Sequence, residues 1–234
     1  MIYVGTAGWS IPKELQDRFP KEGSHLERYS HTFSITEINR TFYSLPQPKT
    51  LRRWCEMIPK DFRFSVKAHK SITHIGKLQD QKALRAFFEG IKELEAKLFV
   101  ILFQLPPSLQ FNPKIARDFL TNVRSIYEGY VAMEPRHESW QESEELLREF
   151  RVSRVAADPL RFEADAHPGG YEKFVYYRLH GSPKIYYSSY DEKFLHTLAK
   201  KIQNEEGVVI FDNTASGAAI KNALKLMDLL DEAE

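Results

Sequence analysis

Short apolar runs alternate with amphipathic stretches along the chain. The runs are IYVGTAGW (2–9), SITEINRTFY (34–43), RFSVKA (63–68), LFVILFQLP (98–106), YVAMEPR (130–136), RVAADP (154–159), FVYYRLHG (174–181) and VVIFDN (208–213). Each is rich in β-branched or aromatic residues and bounded by Gly, Pro, Asn or Asp, which reads as a strand. Between them lie stretches such as SHLERYSHTF, TLRRWCEMI, DQKALRAFFEGIKELEA, NPKIARDFLTNV, SEELLREF and GAAIKNALKLMDLL, whose apolar residues recur at helical spacing. Strand then helix, repeated across 234 residues, predicts parallel strands with right-handed crossovers. A closed TIM-like (β/α)8 barrel is the natural α/β solution. An open doubly wound sheet is the alternative, but no G-x-G-x-x-G turn follows the first strand. The barrel is expected to be irregular around the sixth helix, because LRFEADAHPGGYEK is short and rich in Gly, Pro and Asp. No composition shift or linker marks a second domain, so residues 1–234 are expected to form one barrel domain.

Side chains on a strand alternate between two faces, and the outward face of a barrel meets the helices and should be apolar. The runs divide accordingly. Val131 and Met133 oppose Ala132, Glu134 and Arg136; Phe64 and Val66 oppose Ser65, Lys67 and His69; Val175, Tyr177 and Leu179 oppose Tyr176, Arg178 and His180. Ile38 and Phe42 oppose Glu37, Asn39 and Thr41, and Val209 and Phe211 oppose Ile210 and Asp212. Gln104 and Asp158 are the polar residues of the fourth and sixth runs. Glu37, Lys67, Gln104, Glu134, Asp158, Arg178 and Asp212 are therefore expected to point inward. The polar residues crowd toward strand C-termini, where barrels of this kind carry their active sites. A purely structural plug is the competing explanation, but buried ionic networks are costly devices that apolar packing can replace.

Composition narrows the functional classes. Thirty-three basic and 32 acidic residues give a net charge of +1, which argues against a nucleic-acid sheath or an acidic-membrane binder. The single cysteine, Cys55, forms no intramolecular disulfide and is expected to pack as a small apolar residue. The first residues read as a strand rather than a leader, and no apolar run approaches a membrane span. A reducing, cytoplasmic setting is expected. His25 and His31 lie in a helical pattern and read as surface residues. Tyr186, Tyr187 and Tyr190 read as an aromatic lid or as loop packing. NTASGAA reads as an anion cradle at a helix N-terminus or as a plain cap.

The motifs GTAGWS, EINRTFY, FSVKAHKSITH, ILFQLPPS, EPRHESW, YYRLHG and NTASGAAIKNALKL resemble, in order and spacing, those of the YecE-like proteins, called domain of unknown function 72. The resemblance spans nearly the whole chain and implies a TIM-like barrel with no assigned reaction. Its motif positions fall here on Gly8, Trp9, Glu37, Asn39, Thr41, Tyr43, Lys67, Thr73, His74, Gln104, Pro106 and Pro107. They continue through Glu134, Arg136, His137, Trp140, Arg178, His180, Gly181 and Asn213. The chain departs from the usual pattern at Ala7, where Ser is common, and at Asp212, where Asn is usual.

Two carboxylates across a barrel mouth, Glu37 and Glu134, are what glycoside hydrolysis requires, with Trp9, Tyr43 and Trp140 available to stack on a sugar. Lys67, Arg136 and Arg178 are more cations than a neutral sugar needs and suit carboxylate or phosphate. The leading expectation is an enzyme, hydrolase or lyase, acting on a small anionic molecule such as a phosphorylated or acidic sugar. Glu37, Lys67, Glu134, Asp158 and His180 are the candidate catalytic residues. Trp9, Asn39, Tyr43, Gln104, Arg136, His137, Trp140, Arg178, Asp212, Asn213 and Gly217 are the candidate binding residues. Arg136, Arg178 and the 214–218 backbone are expected to hold the anion, and Arg178→Ala to lose binding while melting near the parent. A Schiff-base role for Lys67 is an alternative, with pairing to Glu134 its blander counterpart. No cofactor is expected. No H-x-H or H-E-x-x-H spacing supports a metal, which the interleaved cations would repel. A non-catalytic metabolite- or nucleotide-binding protein is the rival class, and a glycoside hydrolase or a nucleic-acid processing protein the next; neither a membrane nor nucleic acid is expected as partner.

Overall fold

The structure is a computed structural model that describes residues 1–232. Its ten strands are β1 (Ile2–Ala7), β2 (Ile35–Ile38), β3 (Arg63–Lys67), β4 (Leu98–Gln104), β5 (Tyr130–Glu134), β6 (Val152–Arg154), β7 (Ala156–Asp158), β8 (Gly169–Gly170), β9 (Val175–Leu179) and β10 (Gly207–Phe211). They form one sheet ordered β7-β9-β10-β1-β2-β3-β4-β5-β6-β8. All eight apolar runs contribute to the parallel part of that sheet. The sixth run is split: β6 pairs with β5 and β7 with β9, so the ring closes through the chain itself at Val155. The fold is thus α/β and TIM-barrel-like.

Seven α-helices cover the strands: α1 (His25–Ser30), α2 (Pro48–Met57), α3 (Gln81–Ile91), α4 (Pro113–Arg124), α5 (Glu144–Glu149), α6 (Glu192–Ile202) and α7 (Ala218–Asp231). Their starts follow capping chemistry. Ser24 and Glu27 form a capping box, and Asp80, Asn112 and Asp191 each accept an amide N–H of the first turn. The sixth strand is followed by a short 3-10 turn, Glu163–Ala166, instead of an α-helix. There β8 runs antiparallel to β6. Arg154, nearly buried, ties the segment by pairing with Glu144 of α5 and donating to the Ala164 carbonyl, while the Gly170 amide donates to Glu144.

Two apolar layers result. Outward strand residues such as Val66, Ile101, Met133, Tyr177 and Val209 pack with the helices. Inside the barrel, Ile35, Val100, Leu102, Ala132, Val155, Tyr176 and Ile210 fill the middle. Tyr130 and Phe174 stack at 3.9 Å between centroids, with Tyr3 and Phe99 beside them. Barrel interiors of this size are packed rather than hollow, so the polar cluster rests on an apolar base.

Where β1 and β2 approach, a Cβ on Gly5 would lie 2.2 Å from the Ile35 carbonyl oxygen. Backbone cannot retreat as a flexible side chain can. Gly5→Ala is expected to lower stability by about 1–3 kcal/mol, the usual range for overpacking. Urea unfolding checks it, and an unchanged midpoint would refute the close approach.

Candidate functional site

Arg178, on β9, is completely buried. Its Nε and Nη2 grip both oxygens of Glu37 (3.0 and 2.6 Å), Nη1 reaches Glu134 (2.7 Å), and Nη2 also reaches Asp212 (3.1 Å). One guanidinium thus joins carboxylates from β2 and β5 and the residue just after β10. Its five-donor fork is the only side chain suited to such a task. Glu37, also completely buried, accepts a further bond from the Tyr176 hydroxyl at 2.8 Å, and that hydroxyl meets Ser65 at 2.7 Å. Arg178 therefore organises the carboxylates and has no face left with which to clamp a ligand.

His180, just beyond β9, lies across the top of this network. Its Nε2 is 3.1 Å from Glu134 Oε1 and its Nδ1 3.0 Å from Asp212 Oδ2. Only the imidazolium supplies a donor to both carboxylates. Burial opposes that charge, but Glu134 and the bonds to Asp212 and Glu134 outweigh it and raise the imidazole pKa. Burial would likewise raise the Glu134 carboxyl, yet Arg178, His180 and Arg136 hold it well below the usual carboxylate range. Asp212 is lowered too, with Arg178, His180 and Lys67 overcoming its burial. Arg136 directs Nε and Nη2 at Glu134 Oε1, at 3.2 and 2.8 Å. Gln104 donates to Glu134 and Asn39 to Asp212.

Lys67 differs from its neighbours. It ends β3 with 8% of its surface exposed, and its Nζ lies over the Phe42 ring, 4.6 Å from the centroid. Among the described residues no carboxylate pairs with it, because Arg178, Arg136 and His180 engage those of the mouth. Burial first, and Arg178 second, hold its amine down at about 8. Thr41 fixes the backbone here by donating to the Lys67 carbonyl at 2.7 Å. His74 stands edge-on to Phe42 at 4.8 Å, and Tyr186 edge-on to His180 at 6.0 Å.

The structure thus gathers Glu37, Asn39, Lys67, Gln104, Glu134, Arg136, Arg178, His180 and Asp212. Other expected residues lie elsewhere. Asp158 does not point inward: its register partner is outward-facing Leu179, and its carboxylate accepts from Tyr190 at 2.8 Å. Alternation along the split strand puts Val155 inside and hence Ala156 and Asp158 outside. Trp140 is core, buried against Phe111 and donating to the Leu109 carbonyl. Trp9 packs edge-on against Trp54 at 4.9 Å, in a groove lined by α1 and α2 residues. Tyr43 is exposed, beside Lys70. His137 caps a 3-10 turn by accepting from the Ser139 amide. Asn213 anchors the loop after β9 by donating to the Ser188 carbonyl and to Asn222. Gly217 takes a left-handed φ of 76° at the start of α7. The cradle expected there is largely spent, since the amides of Ala215, Gly217 and Ala219 already donate to the carbonyls of Tyr186, Thr214 and Asn213. The inward parity of Tyr176 was legible, but a tyrosine in a barrel reads as filler; Phe42, expected on the outward face with Ile38, instead lies under the Lys67 amine, because β2 ends at Ile38 and Arg40–Phe42 is a 3-10 turn. As for a metal, the carboxylate oxygens of the mouth face guanidinium and imidazole donors, and no group of three His, Cys, Asp or Glu residues suited to an ion occurs among the described residues.

A family model described as "Protein of unknown function DUF72" matches residues 3–234. The chain belongs to the DUF72 family. It is 32% identical to the UPF0759 protein YecE of Escherichia coli K12 over 115 residues, a match covering 49% of this chain and 40% of that protein's length. It is 23% identical to the UPF0759 protein YunF of Bacillus subtilis over 268 aligned residues, covering 99% and 95%. Among solved structures, a DUF72 protein of Thermotoga maritima superimposes with TM-score 0.80 at 28% identity, covering 99% of both chains. One from Enterococcus faecalis gives 0.83 at 22% identity, covering 99% of this chain and 96% of that one. A fusion protein described as xylose isomerase-like TIM barrel/4-hydroxyphenylpyruvate dioxygenase is similar in fold, at TM-score 0.53 and 12% identity, over 98% of this chain and 42% of its own. Among the described residues, no helix is long and apolar enough to cross a membrane.

The burial of Arg178 reverses the expectation that its removal leaves stability untouched. Arg178→Met strands three carboxylates without their shared cation and is expected to cost about 3–5 kcal/mol, as for other broken buried pairs. Urea unfolding reads this; a loss under 1 kcal/mol would show the network to be dispensable. The carboxylates also set the acid limb. Glu134 and Asp212 stabilise the fold above their unfolded pKa values, and that contribution disappears as pH falls through the lowered folded ones.

His180 behaves oppositely. Its contribution is complete below the unfolded value near 6.5 and is lost as pH rises through the raised folded value. An NMR titration should place the His180 midpoint above 6.5, and Asp212→Asn should move it down. A midpoint below 6.5 in the parent would contradict the imidazolium geometry.

Proposed function

We propose that this protein is an enzyme acting on a small anionic substrate by general acid–base chemistry at the C-terminal mouth of the barrel. The observation that carries this reading is His180, held as an imidazolium between Glu134 and Asp212 in the same mouth as Lys67, a cation with no carboxylate of its own. His180 is the acid: two carboxylates fix its orientation, and the Nε2 proton passes to the substrate from its bond with Glu134. Lys67 and the Arg136 donors not engaged by Glu134 attract the anion. Glu37, Glu134 and Arg178 act as positioning residues, with oxygens and N–H groups already satisfied within the protein.

The geometry favours this reading over a glycoside hydrolase. Such an enzyme needs one carboxylic acid kept protonated near neutrality, and the Glu134 carboxyl is pushed in the opposite direction. The aromatic platform expected for a sugar is also dispersed, with Trp140 buried and Trp9 among the helices. Three carboxylates balanced by Arg178, Arg136 and protonated His180 leave Lys67 as the surplus charge. Selectivity for an anion then depends on short, directed donors rather than a broad positive field.

Calorimetry with phosphate and sugar phosphates is expected to show binding that Lys67→Met weakens at least about tenfold, the scale of losing one charge-assisted contact. Turnover of a pooled phosphosugar library should fall roughly 100-fold or more in His180→Gln, as for loss of a general acid. Binding without turnover in the parent would assign the pocket to a non-catalytic metabolite-binding protein. Flat titrations at millimolar ligand would sink the anion reading altogether.

A further inference from the structure

Lys67 presents a combination unusual for a lysine. Its amine is nearly enclosed, at the end of a strand, against the face of an aromatic ring and, among the described residues, without an anionic partner. A lysine kept only for charge balance would be expected on a carboxylate. Here the three nearby carboxylates are committed elsewhere: Glu37 and Asp212 to Arg178, Glu134 to Arg178 and Arg136, and both Glu134 and Asp212 to His180. The network around Arg178 leaves a primary amine standing free in a mouth that also contains a proton-bearing imidazole.

From this we infer that Lys67 is a nucleophile that forms an imine with an anionic carbonyl compound, a small keto acid or a phosphorylated aldehyde or ketone. The inference rests on the reading of the mouth as an anion site and names the substrate class more closely. In its neutral form the Lys67 nitrogen adds to the carbonyl carbon while the carbonyl oxygen takes the His180 Nε2 proton, which leaves its bond to Glu134 Oε1. The resulting carbinolamine loses that oxygen as water; of the two hydrogens the nitrogen gives up, one returns to His180 and the other leaves in the water, and a C=N bond replaces C=O. No electrons are transferred, and no co-reactant is needed. Arg136, with Nη1 free of Glu134 and Nη2 3.4 Å from His180 Nε2, lies where the anionic end would be held. Burial next to the Arg178 guanidinium serves the same chemistry, because it holds the amine near 8. At neutral pH roughly a tenth of such an amine is uncharged, against less than about a thousandth of an ordinary lysine.

The test is reductive trapping. Full-length protein is incubated at neutral pH with pyruvate or with dihydroxyacetone phosphate and treated with cyanoborohydride; the adduct is located by peptide mass spectrometry. The adduct adds the mass of the probe less one oxygen atom. We expect it at Lys67 at a level about a hundredfold or more above any surface lysine, in proportion to the neutral fractions. Neutral acetone should label Lys67 far less, and inorganic phosphate should compete. Lys67→Arg, which keeps the charge but has no nucleophilic amine, should abolish the adduct; Lys67→Met, expected to bind phosphate at least about tenfold more weakly, should abolish it too and serves as the second variant should Arg disturb the packing. Labelling confined to surface lysines, while phosphate still binds, overturns the imine and leaves the anion reading standing. No labelling together with no phosphate binding overturns both.

Discussion

The polar end of this barrel depends on one guanidinium. Arg178 is wholly buried and reaches Glu37, Glu134 and Asp212 on three different parts of the sheet. Removing a charged fork and three carboxylates from water is expensive, and apolar residues of similar volume would often be at least as stable. What the arrangement secures is geometry. Parallel strands present their C-terminal residues at one level, and one shared donor fork ties together carboxylates from β2, β5 and the residue just after β10. Glu134 and Asp212 then hold His180, and Arg136 and Gln104 follow Glu134. The lowered proton affinity of Lys67 comes first from its burial and in part from this arrangement, since the guanidinium that attracts the acids also repels the ammonium.

Much of this was legible in the chain. Strand and helix alternation identified the barrel, because every parallel strand must be bought back to its neighbour by a crossover and the amphipathic stretches are those crossovers. Alternation within strands placed Glu37, Lys67, Gln104, Glu134, Arg178 and Asp212 together. Connectivity among them was not legible. Nothing in the spacing of Glu37, Glu134 and Arg178 states that one arginine takes both acids and so cannot grip a ligand; that follows from the barrel's curvature. The error at Asp158 is local. Its position near a strand end suggests the inward face, whereas the alternation running through Val155 puts it on the helix side.

The aromatic residues failed for a different reason. A tryptophan after a strand reads equally as a stacking surface and as packing, since both need a large apolar face. Trp140 satisfies its indole N–H on the Leu109 carbonyl and closes the layer outside β4 and β5. Its place in EPRHESW therefore reflects how the loop folds back onto the barrel. His137 in the same motif likewise caps a turn. Of that motif only Glu134 and Arg136 join the network. Density of functional residue types in a short stretch is thus a poor guide to density of function.

Asp212 shows how finely the mouth is balanced. At this position the chain carries a carboxylate that accepts from Arg178, His180 and Asn39. An amide there has one acceptor oxygen and would turn donors toward a guanidinium or an imidazolium. The carboxylate accepts from all three without conflict. It also removes one unit of positive charge from a cluster that would otherwise carry two in excess, counting Arg178, Arg136, Lys67 and His180 against Glu37 and Glu134. The acid beside His180 therefore raises the proton affinity of the imidazole, while its commitment to Arg178 and His180 leaves Lys67 unpaired. An imidazole with raised proton affinity and an amine with lowered proton affinity share one mouth: the carboxylates raise the first against its burial, while burial and then Arg178 lower the second.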